Sequence, residues 1–143
     1  MELKVVGTMQ WSAKENMLYP ITEMDIPKCP GVYQWRMNNE IIKIGSTKNL
    51  FTRLLKQHMS KSMYNSSDRM KRDRTSRKIR SFFNDPANQM PIIIEIFHNY
   101  IEIYDPTIDQ ILNVSPIKEY ENYLTRQALE AQEPLTLMTQ KKA

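Results

Sequence analysis

PGVYQWRMNNEIIKIGSTKNLFTRLLKQH, residues 30–58, is the stretch from which the rest follows. Two runs rich in β-branched and aromatic residues predict strands over Gly31–Arg36 and Glu40–Gly45. Asn38-Asn39 between them is a hairpin signal, because asparagine tolerates the positive φ of a tight turn. A polar loop, Ser46–Asn49, then opens a helix at Leu50. Leu50, Leu54, Leu55 and His58 recur at helical spacing, and Asn49 or Thr47 is placed to cap the start.

Around this stretch the chain reads as one domain. Its 143 residues support a real but modest core, and 41% hydrophobic with 25% charged residues is ordinary for a soluble globular protein. A net charge of +4 leans toward an anionic partner. One cysteine, Cys29, excludes a disulfide framework or a cysteine-built zinc site within one chain, and points to a reducing setting. The N-terminus lacks the pattern of a secretory signal, and no apolar run approaches the ~20 residues of a membrane span. A cytoplasmic protein without a membrane partner is the expectation.

Residues 1–28 read as an N-terminal arm packed on the core, with a short strand at Leu3–Gly7 and apolar anchors at Trp11, Met17, Leu18 and Tyr19. Pro20, Pro27 and Pro30 predict an extended connector into the hairpin. A DNA-contacting or dimerising arm is the functional alternative. Residues 59–90 read as a basic helical insertion. Between Asp68 and Arg80, seven basic residues (Arg69, Lys71, Arg72, Arg74, Arg77, Lys78 and Arg80) face two aspartates, so this segment is more positive than the whole chain. A solvated face is the usual fate of such a run; its concentration favours phosphate contact. Ile79, Phe82 and Phe83 anchor its end. Ile92–Tyr104 predicts a central strand that continues into another after Asn99, ending at Asp105-Pro106. Ser115-Pro116 opens the last helix, with a stripe of Ile117, Tyr120, Leu124, Ala128 and Ala131. Pro134 stops it, and the tail, residues 138–143 above all, is expected to be loosely held.

The central stretch resembles the GIY-YIG nuclease family. Gly31-Val32-Tyr33 stands where the first signature triplet belongs, Lys43-Ile44-Gly45 where Tyr-Ile-Gly belongs, and Arg53 where the family has its helix arginine. The spacings Tyr33–Lys43 and Lys43–Arg53, ten residues each, are those the family uses. Lys43 departs from the second tyrosine, as in some restriction enzymes similar to the family. The resemblance implies an α+β domain over residues 29–137, a small three-stranded antiparallel sheet flanked by helices. It also implies one Mg²⁺ or Mn²⁺ held by a glutamate on a later helix. Glu121-Asn122-Tyr123-Leu124 is similar to the family's glutamate pattern, which selects Glu121, with Glu119 as the fallback. The family's downstream asparagine has no counterpart in Pro134-Leu135-Thr136-Leu137.

In that scheme Tyr33 lies near the attacking water, and Arg53 offers a fixed fork of donors to the phosphate. A phenol of pKa ~10 is a poor base at neutral pH. Lys43 beside it is expected to lower that pKa or to orient the water. His58 follows Arg53 by five residues where many members have a histidine after four, so on an α-helix Gln57 takes that place. His98 reads as structural. Lys48, before the helix, joins the basic insertion as a candidate nucleic-acid contact. The function implied is a metal-dependent DNA endonuclease of restriction or phage type, alone or as a homodimer. A catalytically silent DNA- or RNA-binding module is the alternative.

Overall fold

In a computed structural model, residues 2–65, 74–98 and 101–138 are described, apart from the side chains at 74, 101, 102, 113 and 114. The predicted hairpin forms as β3 (Gly31–Met37) and β4 (Glu40–Thr47), joined by Asn38 and Asn39 at φ 51° and 64°. The positive angles are the reason for the two asparagines. Strand β5 (Ile92–Phe97) pairs antiparallel with β3 and buries Ile92, Ile94 and Ile96.

The sheet has five strands, not three. The first 28 residues, expected as an arm, supply β1 (Lys4–Ser12) and β2 (Met17–Pro20), giving the order β2-β1-β5-β3-β4. Antiparallel pairing with β5 as far as Met9 and with β2 as far as Ser12 carries β1 well beyond the short strand expected at Leu3–Gly7. Trp11 anchors it, stacked on Phe83 at 5.5 Å and edge-on to Tyr64 at 5.2 Å. The fold is α+β, an antiparallel sheet flanked by helices.

Two apolar layers sandwich the sheet. On one face lie a wide helical turn (Thr52–His58), α1 (Lys61–Asn65) and α2 (Arg74–Phe83), around Trp35, Leu50, Leu54, Tyr64, Ile79 and Phe83. On the other lies α3 (Ile117–Glu130), whose Tyr120 and Ala128 pack on Val32, Ile44 and Phe97. Two details of α3 depart from expectation. Pro116 takes the N-cap position without a side-chain cap bond, so the Ser115 hydroxyl does not cap. Ala131, expected in the stripe, is exposed, while Thr125 is buried.

The segment after α3 is held firmly as far as Met138. Leu135 N–H donates to Ile41 O at 3.1 Å and Leu137 N–H to Ile42 O at 2.9 Å, while the Glu133 carboxylate accepts from Ile41 N–H at 2.9 Å. These bonds cover the outer edge of β4, which would otherwise present unpaired backbone. Leu135 and Leu137 are fully buried, and the Lys78 ammonium donates to Met138 O. Residues 139–143 of the expected loose tail lie outside the described residues. Leu137→Ala is expected to lower unfolding free energy by about 2–5 kcal/mol, read as a shift in urea midpoint at unchanged slope.

A separate hairpin, β6 (Ile101–Asp105) with β7 (Gln110–Val114), follows β5. The continuation after Asn99 was foreseen; the returning strand was not. Among the described residues, no helix is long and apolar enough to cross a membrane.

Candidate active site

The site begins where β3 faces β4. Tyr33 pairs with Gly45 and Trp35 with Lys43, so all four point to the face under the wide turn. Gly45 is required by close approach: a methyl there would overlap the Tyr33 hydroxyl and ring. With no side chain in the way, the phenol lies across β4 toward its outer edge.

Arg53 is presented by the start of the helical segment, whose free N–H groups are all answered. Leu50 N–H donates to Cys29 O (2.9 Å), Phe51 N–H to Pro27 O (3.2 Å) and Thr52 N–H to Asn49 Oδ1 (3.1 Å). The proline-rich connector thus supplies part of the cap, and Thr47 Oγ1 steadies the loop by accepting from Asn49 N–H at 3.2 Å. The next bond, Arg53 N–H to Asn49 O, is an ordinary helical one of 3.0 Å. Further on, the turn widens, and Met59 N–H reaches Leu54 O, five residues back. Such π-type bonding widens the turn, which rotates the face beneath Arg53 from the fourth residue on toward the fifth, and it is frequent at functional sites. This corrects the expectation for Gln57. Gln57 is exposed, whereas His58 lies fully buried one wide turn beyond Arg53.

Glu121 comes from the opposite layer, where α3 crosses the β4 edge. Tyr33, Lys43, Gly45, Arg53 and Glu121 line one open cleft of about 460 Å³, with Ser46, Lys118, Asn122, Thr125 and Met138. Glu119 and Lys48 line an adjoining depression instead, which shares Arg53 and Lys118 with the cleft. Thr125 was not singled out in the sequence; its hydroxyl donates to Glu121 O at 2.8 Å. Lys118 was also missed, though its spacing three before Glu121 is a readable signal. Its ammonium meets Glu121 Oε1 at 3.0 Å.

The electrostatics depart from expectation at Tyr33. Burial drives its pKa far up; Arg53 opposes this and Glu121 adds to it. The expected lowering does not occur, and Tyr33 is a neutral phenol at physiological pH. Lys43 is also buried, with its ammonium 5.9 Å from the Trp35 ring centroid.

His58 meets Tyr33 at 5.4 Å and Trp35 at 4.9 Å, both edge to face. Burial holds its pKa well below the usual value, with Lys43 and Arg53 pushing the same way. The unfolded chain therefore binds one more proton than the folded one below about pH 6.5, and stability falls as pH drops through that point. Urea midpoints at about pH 7 and about pH 5 are expected to fall more in wild type than in His58→Phe.

Of the other candidates, Arg77 is exposed on α2, while Arg80 donates to Tyr64 O at 2.8 Å and Lys78 to Met138 O. Those bonds give Lys78 and Arg80 a structural duty. Arg69, Lys71 and Arg72 lie outside the described residues, as does the side chain of Arg74. His98 is half-buried just beyond β5.

Among the described residues, no three His, Cys, Asp or Glu side chains gather as a metal cluster. Glu121 is the lone carboxylate among those described in the cleft. One carboxylate completed by water is a hard oxygen set that fits Mg²⁺, an ion that keeps most of its own waters. The Lys118 pair is no bar, since that side chain is 72% exposed and exposed pairs are worth about 1 kcal/mol or less.

No family model matches the chain, and no curated protein matches it. Two solved structures share the fold. Bacteriophage T4 EndoII, in a glutamate-to-alanine mutant, aligns over 87% of this chain and 86% of its own, with TM-score 0.57 and 15% identity. The restriction endonuclease HPY188I, in complex with product DNA, aligns over 96% and 80%, with TM-score 0.52 and 15% identity. At these identities the likeness is one of fold.

Proposed function

We propose that the chain is a divalent-metal-dependent DNA endonuclease of the GIY-YIG type. One observation carries this reading. Tyr33, Lys43, Arg53 and Glu121, from two strands and two helical segments, meet in a single cleft. The sequence spacing that singled out the first three is independent of the placement of α3. A fold shared with two DNA endonucleases supports the same reading.

Arg53 holds the scissile phosphate through its guanidinium fork. Tyr33, a neutral phenol, orients the attacking water by hydrogen bonding instead of acting as a phenolate. Lys43 adds fixed positive charge where negative charge accumulates on phosphorus oxygens, in a buried setting that strengthens it. Glu121 would hold the metal, which when bound would withdraw charge from the phosphate and acidify water. The new bond joins a water oxygen to phosphorus, the bond to one deoxyribose oxygen breaks, and the proton the water loses passes by way of solvent to that leaving oxygen. Arg77 and the basic residues before it contact the DNA backbone. Cutting both strands asks for two copies of the chain or two successive nicks.

The test is a DNA panel (plasmid, phage genomic, single-stranded and branched) incubated with purified protein in Mg²⁺, Mn²⁺ or EDTA. Discrete cleavage with metal and none in EDTA is expected. DNA binding that weakens with salt, without cutting in any condition, would favour the silent binding module instead.

A further inference from the structure

Among the described residues, four buried side-chain polar atoms lack a hydrogen-bond partner in the protein: Trp35 Nε1, Arg53 Nε, and His58 Nδ1 and Nε2. A buried polar atom left unpaired costs about 1–3 kcal/mol, and each such case asks for an explanation. These four are not scattered. The Trp35 and His58 rings are 4.9 Å apart at 85°, and Arg53 stands one wide turn before His58. Trp35 and His58 lie against Tyr33, and Arg53 lines the cleft.

Three of these four atoms match one small ligand. Trp35 Nε1–H and Arg53 Nε–H are donors, and neutral imidazole offers one acceptor and one donor. A water accepts two hydrogen bonds and donates two, and a buried water takes two to four polar partners. Its lone pairs suit the two N–H groups, and one of its hydrogens suits the unprotonated nitrogen of His58. A protonated His58 would place only donors around the same point, which burial disfavours.

We propose that Trp35, Arg53 and His58 form a buried polar node that binds an internal water beneath the cleft, with His58 acting as a positioning residue for the Arg53 guanidinium. Through that water His58 fixes the plane of Arg53 Nε, leaving the two outer nitrogens to face the cleft. The widened turn is the local device: it brings the residue five after Arg53, and not the fourth, under the guanidinium. The existence of the node does not depend on the reaction; its kinetic consequence rests on the nuclease reading.

Two readouts test it. In wild-type protein, the Trp35 indole proton is expected to show an NMR cross-relaxation peak to a long-lived water, and Arg53 Nε–H to exchange slowly. His58→Phe keeps the ring and removes both nitrogens; it is expected to abolish the water peak and to speed Arg53 Nε–H exchange. Its cleavage turnover should fall about 10-fold at unchanged DNA KM, with His58→Gln restoring most of the loss. An indole proton with no water contact in wild type would overturn the proposal, even where His58→Phe fails to fold. So would an unchanged Arg53 signal and turnover in folded His58→Phe. A wild type that shows the water peak yet cuts no DNA would leave the node standing and remove the nuclease reading.

Discussion

Arg53→Ala is expected to reduce DNA cleavage by about 10²–10³-fold, the loss found when a preorganised donor to transition-state charge is removed. The fold should survive. Arg53 is half-buried at the cleft, and the cap that presents it uses Cys29 O, Pro27 O and Asn49 Oδ1, none of which involves its side chain. Arg53→Lys is expected to recover little, because an ammonium offers charge without the planar fork or the Nε–H. Arg53→Ala also removes the cation whose field opposes the upward shift of the Tyr33 pKa. Single-turnover cleavage under metal saturation, with circular dichroism to check folding, measures this. Near-wild-type rates in folded Arg53→Ala would exclude Arg53 from the reaction.

Gly45→Ala carries the second large effect, about 10²-fold in turnover, from one methyl group. That methyl would overlap the Tyr33 hydroxyl and ring, so the phenol must swing away from the β4 edge. Displacing a reacting-site group by about an ångström costs on that order. Tyr33 is nearly fully buried, with His58 and Trp35 against it, so the ring has little room to adapt without cost to packing. The substitution should leave DNA affinity nearly intact, since the phosphate contact at Arg53 is untouched. A double variant, Gly45→Ala with Tyr33→Phe, is expected to be no slower than Tyr33→Phe alone. Additive losses in that cycle would show that Gly45 acts through something other than the phenol.

What the sequence disclosed and what it withheld follow one physical division. The β3–β4 hairpin was legible because its signals are local: β-forming runs and two asparagines at positive φ. Arg53 was legible through spacing within a continuous strand-strand-helix unit. The strand at Lys4–Ser12 was underread in its second half, which pairs with Met17–Pro20 across a local turn, because neither of those runs carries a clean alternation of apolar and polar residues. The anchoring of Pro134–Met138 leaves no local signal, because its role is to cover a sheet edge formed elsewhere.

The π-type turn defeated the helical wheel. One inserted residue leaves composition and periodicity almost unchanged, yet it exchanges Gln57 for His58 under Arg53. Tyr33 shows the same limit in electrostatics. The Arg53 charge was visible in the sequence, but the burial that outweighs it was not. Glu121 was chosen by resemblance over Glu119, and the geometry separates the two, one in the cleft and one in the depression beside it.

The most direct measurement compares wild type and Glu121→Ala for cleavage and binding on the same DNA, with Mg²⁺ titrated from zero. Glu121 is the lone carboxylate described in the cleft, and its packing role is small because Thr125 bonds its backbone oxygen, not its side chain. The account predicts Mg²⁺-dependent cutting by wild type, no detectable cutting by Glu121→Ala, and DNA binding retained in both. Cutting by Glu121→Ala at the wild-type rate, with the same Mg²⁺ dependence, would contradict it.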